Sequence, residues 1–169
     1  MAVGSSAMCG TFKREILAGI HFLTAHTRTG SSAISADTLK VAMFTNSSSI
    51  DADTTGYTTG NEVSGTNYSA GGAALSSVTI GLADNSSSVP TAFVDFADTT
   101  FSSSTISSAR GALIYNSTLS SAGTGSTTNH AADPAIAVIN FGGDKSSSAG
   151  DFTIQYPAND ANNAVIRIA

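Results

Sequence analysis

Tryptophan is absent from this chain of 169 residues, cysteine occurs once, proline three times, and charged side chains supply only 11% of the positions. Each scarcity excludes something. With Cys9 as the sole thiol, no intrachain disulfide can form. Seven Lys and Arg against twelve Asp and Glu leave a net charge of −5 and no basic stripe. Neither direct nucleic-acid binding nor attraction to an anionic membrane surface is therefore expected. No apolar run approaches the roughly 18 residues of a membrane-crossing helix. The opening residues, Met1 to Cys9, lack the charged and apolar regions of a secretory signal, which implies synthesis in a cytoplasm. The Asn-x-Ser/Thr sequons at Asn46, Asn67, Asn85 and Asn116 then read as composition rather than glycosylation sites.

Catalytic patterns are missing too. His21 and His26 are five apart, which on a helix points them to different sides, and His130 stands in a Ser/Thr/Asn-rich stretch without a second metal ligand at motif spacing. Asp51 with Asp53, Asp95 with Asp98, and Asp144 with Asp151 could form calcium loops or a hydrolytic acid–base pair. None fits the spaced acidic calcium loop with its central Gly and closing Glu, and Asp is also an ordinary turn-former. No Gly-x-Ser-x-Gly elbow occurs, and Gly142-Gly143 lacks the surroundings of a phosphate loop. Cys9 beside a helix start could carry a lowered pKa, but without an evident His and Asn partner it reads as an incidental buried or free thiol. The expectation is no enzyme, no cofactor and no metal.

What the chain has in place of charge is hydroxyl: Ser and Thr make up roughly a quarter of it. Neutral hydroxyl faces suit strands, where Thr is favoured and Lys, Glu and Asp are not. They also suit a surface that ends up packed among copies or partners, since few charges need desolvating there. The length fits one domain, residues 1–169. Residues 1–10 read as a flexible arm, small and polar. Phe12, Ile16, Ile20 and Leu23 recur at helical spacing, with Thr11 as N-cap, which predicts one short helix over 11–24.

From 37 to 169 the pattern is that of a β-rich body. Thr38–Thr45 alternates cleanly. Further β-prone runs lie at Ser69–Leu82, Ala92–Phe96, Ser108–Tyr115, Ala135–Phe141, Phe152–Tyr156 and Ala164–Ile168, separated by turn-formers such as Asp84-Asn85 and Gly142-Gly143. About seven or eight strands at this spacing predict an all-β, jelly-roll-like antiparallel sandwich, with a short β-barrel as the alternative. Two stretches, 50–65 and 117–134, read as long loops.

Six segments taken in order carry a family resemblance: Cys9 to His21, Asp37 to Thr45, Tyr57 to Gly72, Ala109 to Asn116, Ala137 to Lys145 and Asp151 to Pro157. Over nearly the whole chain they resemble a family of small virion structural proteins of tailed bacteriophages, most like capsid decoration (cement) proteins. That resemblance implies an assembly role without catalytic residues. It further implies major capsid protein as partner, self-association as a trimer or dimer, and a place on the outer capsid surface. A tail- or fibre-associated module binding a receptor or glycan is the alternative. The stripe Phe12, Ile16, Ile20 and Leu23 is the candidate partner contact; the competing reading is a helix that covers one end of its own sandwich.

Overall fold

A computed structural model describes residues 2–27, 30, 32–123 and 129–169. It is an all-β sandwich of two antiparallel sheets with one short helix. Nine strands occur among the described residues: β1 (Ala7–Met8), β2 (Leu39–Thr45), β3 (Gly65–Thr66), β4 (Ala73–Ala74), β5 (Thr79–Asp84), β6 (Pro90–Asp95), β7 (Thr99–Asn116), β8 (Ala135–Ile154) and β9 (Ile166–Ile168). The helix α1 spans Gly10–Leu17. The larger sheet runs β1-β8-β7-β2-β4, with β3 also on β7, and the smaller one runs β5-β6-β9. Among the described residues no helix is long and apolar enough to cross a membrane.

The core forms where β2 lies against the second half of β7. Leu39, Val41, Met43 and Phe44 from β2 meet Leu113 and Ile114 from β7 and Ile136 and Val138 from β8, all buried. Both faces of this patch are covered, so burial there is continuous rather than alternating. Gly72 approaches β2 so closely that a Cβ would stand 1.8 Å from the Val41 carbonyl oxygen, and its φ of +67° is one that glycine alone adopts freely.

Three expectations are corrected. Residues 2–9 are not a loose arm. Val3 fills the space above Gly111, Gly4 N–H donates to the Ile50 carbonyl at 2.8 Å, and β1 pairs with β8 through Ala7↔Val138 and Met8↔Ala137. The helix ends at Leu17, short of the predicted 24. Gly19, at φ +69°, donates to the Ile16 carbonyl at 3.0 Å, and Ile20 N–H reaches back to Glu15 at 3.0 Å. This pair of bonds is a Schellman stop, and it overrides the apolar spacing that continued to Leu23. The run at Ala135–Phe141 and the start of the run at Phe152–Tyr156, as far as Ile154, belong to one strand, β8, and Gly142-Gly143 is a bulge inside it.

That bulge is the largest of several. Between Ala109↔Lys145 and Gly111↔Asn140, β8 inserts extra residues around Gly142, whose φ is +72°. Smaller slips occur near Ser103, Ser108 and Ala149, with φ of 49°, 56° and 49°. At each, a side chain replaces a lost ladder bond. Ile106 N–H donates to Ser147 Oγ at 3.2 Å, Ser108 N–H to Ser146 Oγ at 3.0 Å, Ala149 N–H to Thr105 Oγ1 at 3.0 Å, and Ser103 N–H to Asp151 Oδ1 at 2.9 Å. Three hydroxyls and one carboxylate of β7 and β8 therefore take up backbone donors that the slips leave without a ladder partner.

Candidate functional site

Two polar networks, buried in part, bring titratable side chains together. The first is built on the loop that follows β2. Glu62 lies there between Tyr57 and Tyr68, and its carboxylate accepts from the Tyr57 hydroxyl at 2.5 Å, the Tyr68 hydroxyl at 2.7 Å and Gly71 N–H at 2.8 Å. Tyr68 Oη accepts in turn from Met43 N–H at 2.8 Å, and the Tyr115 hydroxyl donates to the Gly71 carbonyl at 2.8 Å. Tyr57 stacks on Tyr115 with centroids 4.5 Å apart. Burial, reinforced by the Glu62 carboxylate, holds Tyr57 and Tyr68 above the usual phenol range, and burial pushes Tyr115 up to about 12. The phenols are donors, and their bonds tie the loop to β2 and β7.

The second network joins α1 to the end of β7. His21 Nε2 lies 2.8 Å from Glu15 Oε2, and Asn116 Nδ2 donates to His21 Nδ1 at 3.0 Å. Asn116 also donates to Asp37 Oδ2 at 2.7 Å, and its Oδ1 accepts from Thr118 N–H at 3.0 Å, which fixes the amide's orientation. An amide NH₂ only donates, so His21 Nδ1 must accept and the proton sits on Nε2, facing Glu15. The imidazole is neutral. Burial, outweighing the Glu15 contact, lowers its pKa to match. Phe12 packs edge-on against the ring at 4.9 Å. Both ring nitrogens are engaged, and among the described residues no hydroxyl or thiol bonds to them. The Cys9 thiol is buried, 3.9 Å from the Asp51 carbonyl, and burial pushes it up to about 12, the opposite of an activated nucleophile.

The remaining sequence candidates are dispersed. Asp51 Oδ1 accepts from Asp53 N–H at 2.9 Å, Asp98 Oδ1 from Tyr156 N–H at 2.9 Å, and Asp144 pairs with Arg110 at 3.2 Å, so these act as turn and strand-end groups. Asp95 is buried with one oxygen unpartnered, and its pKa is raised by that burial. His26 and His130 each contact a neighbouring backbone carbonyl, at 3.2 and 2.8 Å. Among the described residues no three His, Cys, Asp or Glu side chains are arranged to hold a metal ion. A groove of about 670 Å³ separates β1 and β8 from β9, with Lys13 and Arg167 among its lining residues.

The predicted contact stripe is split. Phe12 lies in the core, while Ile16 and Leu23 pack partly buried against it, and Ile20 is half-buried beyond the helix stop. Exposed apolar surface lies elsewhere: on Leu17 at the end of α1, and on Ile80, Leu82, Val89 and Ile168 in or beside the smaller sheet. The alternation Ile80, Gly81, Leu82 was the sequence signal for that second group.

No family model, no curated protein and no solved structure matches this chain.

Proposed function

We propose that this chain is a non-enzymatic structural component of a tailed-phage virion, one that decorates the outer capsid surface by binding between major capsid protein subunits. One observation carries the reading. The segments bearing the resemblance to cement proteins supply the two networks above: Glu15, His21, Asp37 and Asn116 in one, and Tyr57, Glu62, Tyr68, Gly71 and Tyr115 in the other. These side chains hold backbone in place rather than face a substrate. What remains outside is a low-charge, hydroxyl-rich surface whose exposed large apolar side chains, Leu17 apart, lie in or beside the smaller sheet, a surface suited to protein contact.

A decoration protein works by linkage. If it binds only the expanded shell, each bound copy shifts the equilibrium towards that shell. Many weak contacts at symmetry-related sites add through avidity, and self-association as a dimer or trimer multiplies them. The test is to mix purified protein with expanded capsids that lack it, pellet the shells and image them by electron cryomicroscopy. Regular density at lattice symmetry positions is the expected result. Protein left in the supernatant, and found instead on tails of whole virions, refutes it and favours the receptor-binding module.

A further inference from the structure

The smaller sheet leaves one side open. β6 pairs one edge of β5, and among the described residues no strand pairs the other. Proteins usually guard such an edge with charge, proline, a bulge or a covering segment. β5 has an unbroken register with β6, from Thr79↔Asp95 to Asp84↔Pro90, and carries no charge before its last residue. Ile80 is 54% and Leu82 74% exposed, and both point to one face of the sheet. The alignment Leu82↔Ala92↔Ile168 places Ile168, 46% exposed, on that face as well.

The hairpin also fixes which backbone groups are free. Asn85 N–H donates to the Val89 carbonyl at 3.0 Å, so the bonded pairs with β6 continue through Ala83↔Thr91 and Gly81↔Phe93. Bonded and non-bonded pairs alternate in an antiparallel ladder. The N–H and C=O of Ile80, Leu82 and Asp84 therefore point away from β6. These groups require an extended chain as partner, and the side chains say which one.

We propose that β5 pairs antiparallel with β5 of a second copy, across a two-fold axis at Gly81, joining two smaller sheets into one of six strands. That axis sets Ile80 opposite Leu82 twice, uses the outward backbone groups of both residues, and places Asp84 opposite Val78, so no like charges meet. An axis at Leu82 would instead set Ile80 against Asp84, and a one-residue shift would point the donors the wrong way. An axis at Ile80 would set Leu82 against Val78, which lies outside β5 and packs against the core, so the Gly81 axis is the one that pairs both exposed side chains within the strand. The contact is isologous, as closed dimers require. It deepens the self-association in the reading above, selecting a dimer over a trimer, and depends on that reading only for where the dimer acts.

The edge is short, and interfaces below about 1,200 Å² of total buried area are weak. The contact should therefore be resolved by sedimentation equilibrium of the full chain between about 1 and 300 μM, a range that brackets such affinities. A concentration-dependent monomer–dimer equilibrium is expected for the natural protein and for Leu17→Lys, which removes exposed apolar surface elsewhere. Leu82→Lys should be monomeric throughout, and its melting temperature should match that of the natural protein at concentrations where the latter is monomeric, because its side chain is outside the core. For the register, Ile80→Cys protein mixed with Leu82→Cys protein should form a mixed disulfide faster than either forms one alone. A natural protein that stays monomeric at the top of the range overturns the contact. So does a dimer that Leu82→Lys leaves intact, or one in which Ile80→Cys alone cross-links as fast as the mixture. Capsid binding by the same proteins separates the two readings. A dimer that ignores capsids overturns only the decoration role, and a monomer that binds them overturns only this contact.

Discussion

Replacing Glu62 tests whether the tyrosine network holds the fold as argued. Its carboxylate accepts from the Tyr57 and Tyr68 hydroxyls and from Gly71 N–H, at 2.5, 2.7 and 2.8 Å. Hydrogen bonds to a charged acceptor contribute about 1.5–3 kcal/mol each. Tyr57 is half-buried and its hydroxyl can turn to water, whereas Tyr68 and Gly71 are buried. Counting only those two, Glu62→Ala should cost about 3–6 kcal/mol. Glu62→Gln retains one carbonyl able to accept from both and should cost about 1 kcal/mol. The assay is urea unfolding followed by tyrosine fluorescence, with the slope checked so that a shifted midpoint reports stability alone. A cycle with Tyr68→Phe should reveal a coupling of about 1–2 kcal/mol, since the two groups share one bond. If Glu62→Ala costs less than about 1 kcal/mol, or Glu62→Gln costs as much as Glu62→Ala, the network is incidental.

The buried phenols should make the protein alkali-sensitive. Tyr115 is raised to about 12 and Tyr68 is raised further, so an unfolded chain loses these protons near pH 10 while the folded one keeps them. Stability is then complete below pH 10 and falls above it by up to about 1.4 kcal/mol per unit for each tyrosine; a melting temperature flat from pH 9 to 11.5 refutes this. His21 acts at the other end. Its folded pKa lies below the ordinary 6.5, so stability is complete above that pH and is lost as pH falls towards the folded value. His21→Gln should flatten this acid limb, as measured by unfolding between pH 7 and 5, and an unchanged slope would assign the limb to other groups. Cys9, fully buried with its thiol raised to about 12, should resist a thiol reagent at pH 8 until the chain unfolds. Labelling at the rate of an exposed thiol would contradict the packing of β1 and α1 described above.

The antiparallel sandwich and β2 were readable in the sequence because their apolar periodicity is strong: Leu39, Val41 and Met43 alternate within a run that is also β-prone. The arm was misread because its anchoring is remote. Val3 packs over Gly111, and Asn140 Nδ2 donates to the Gly4 carbonyl at 2.9 Å, contacts that no local pattern announces. The unity of β8 was hidden by its serines and glycines, which resemble a turn until the partner strand is present. The networks fared similarly. His21 and Asn116 are 95 positions apart, and only the folded chain brings them together. Ile80 and Leu82 were visible as a strand, but that their face of the smaller sheet is exposed, and that among the described residues no strand pairs the free edge of β5, are facts of topology rather than composition.

The left-handed positions in the backbone give the serines and threonines separate meanings. The described non-glycine residues with positive φ are Asn61, Asn67, Ser77, Ser88, Ser103, Ser108, Asp133 and Ala149, and none is threonine despite its abundance. A β-branched side chain is a poor occupant of that conformation, whereas Thr99, Thr100 and Thr153 occupy the flat, regularly paired part of the β7–β8 ladder. What looks like a low-complexity mixture of two similar letters therefore follows a one-way rule: where the described backbone turns left-handed, serine is admitted and threonine is not. A variant that shuffled the two would keep the composition, charge and hydropathy of the chain and lose its instructions.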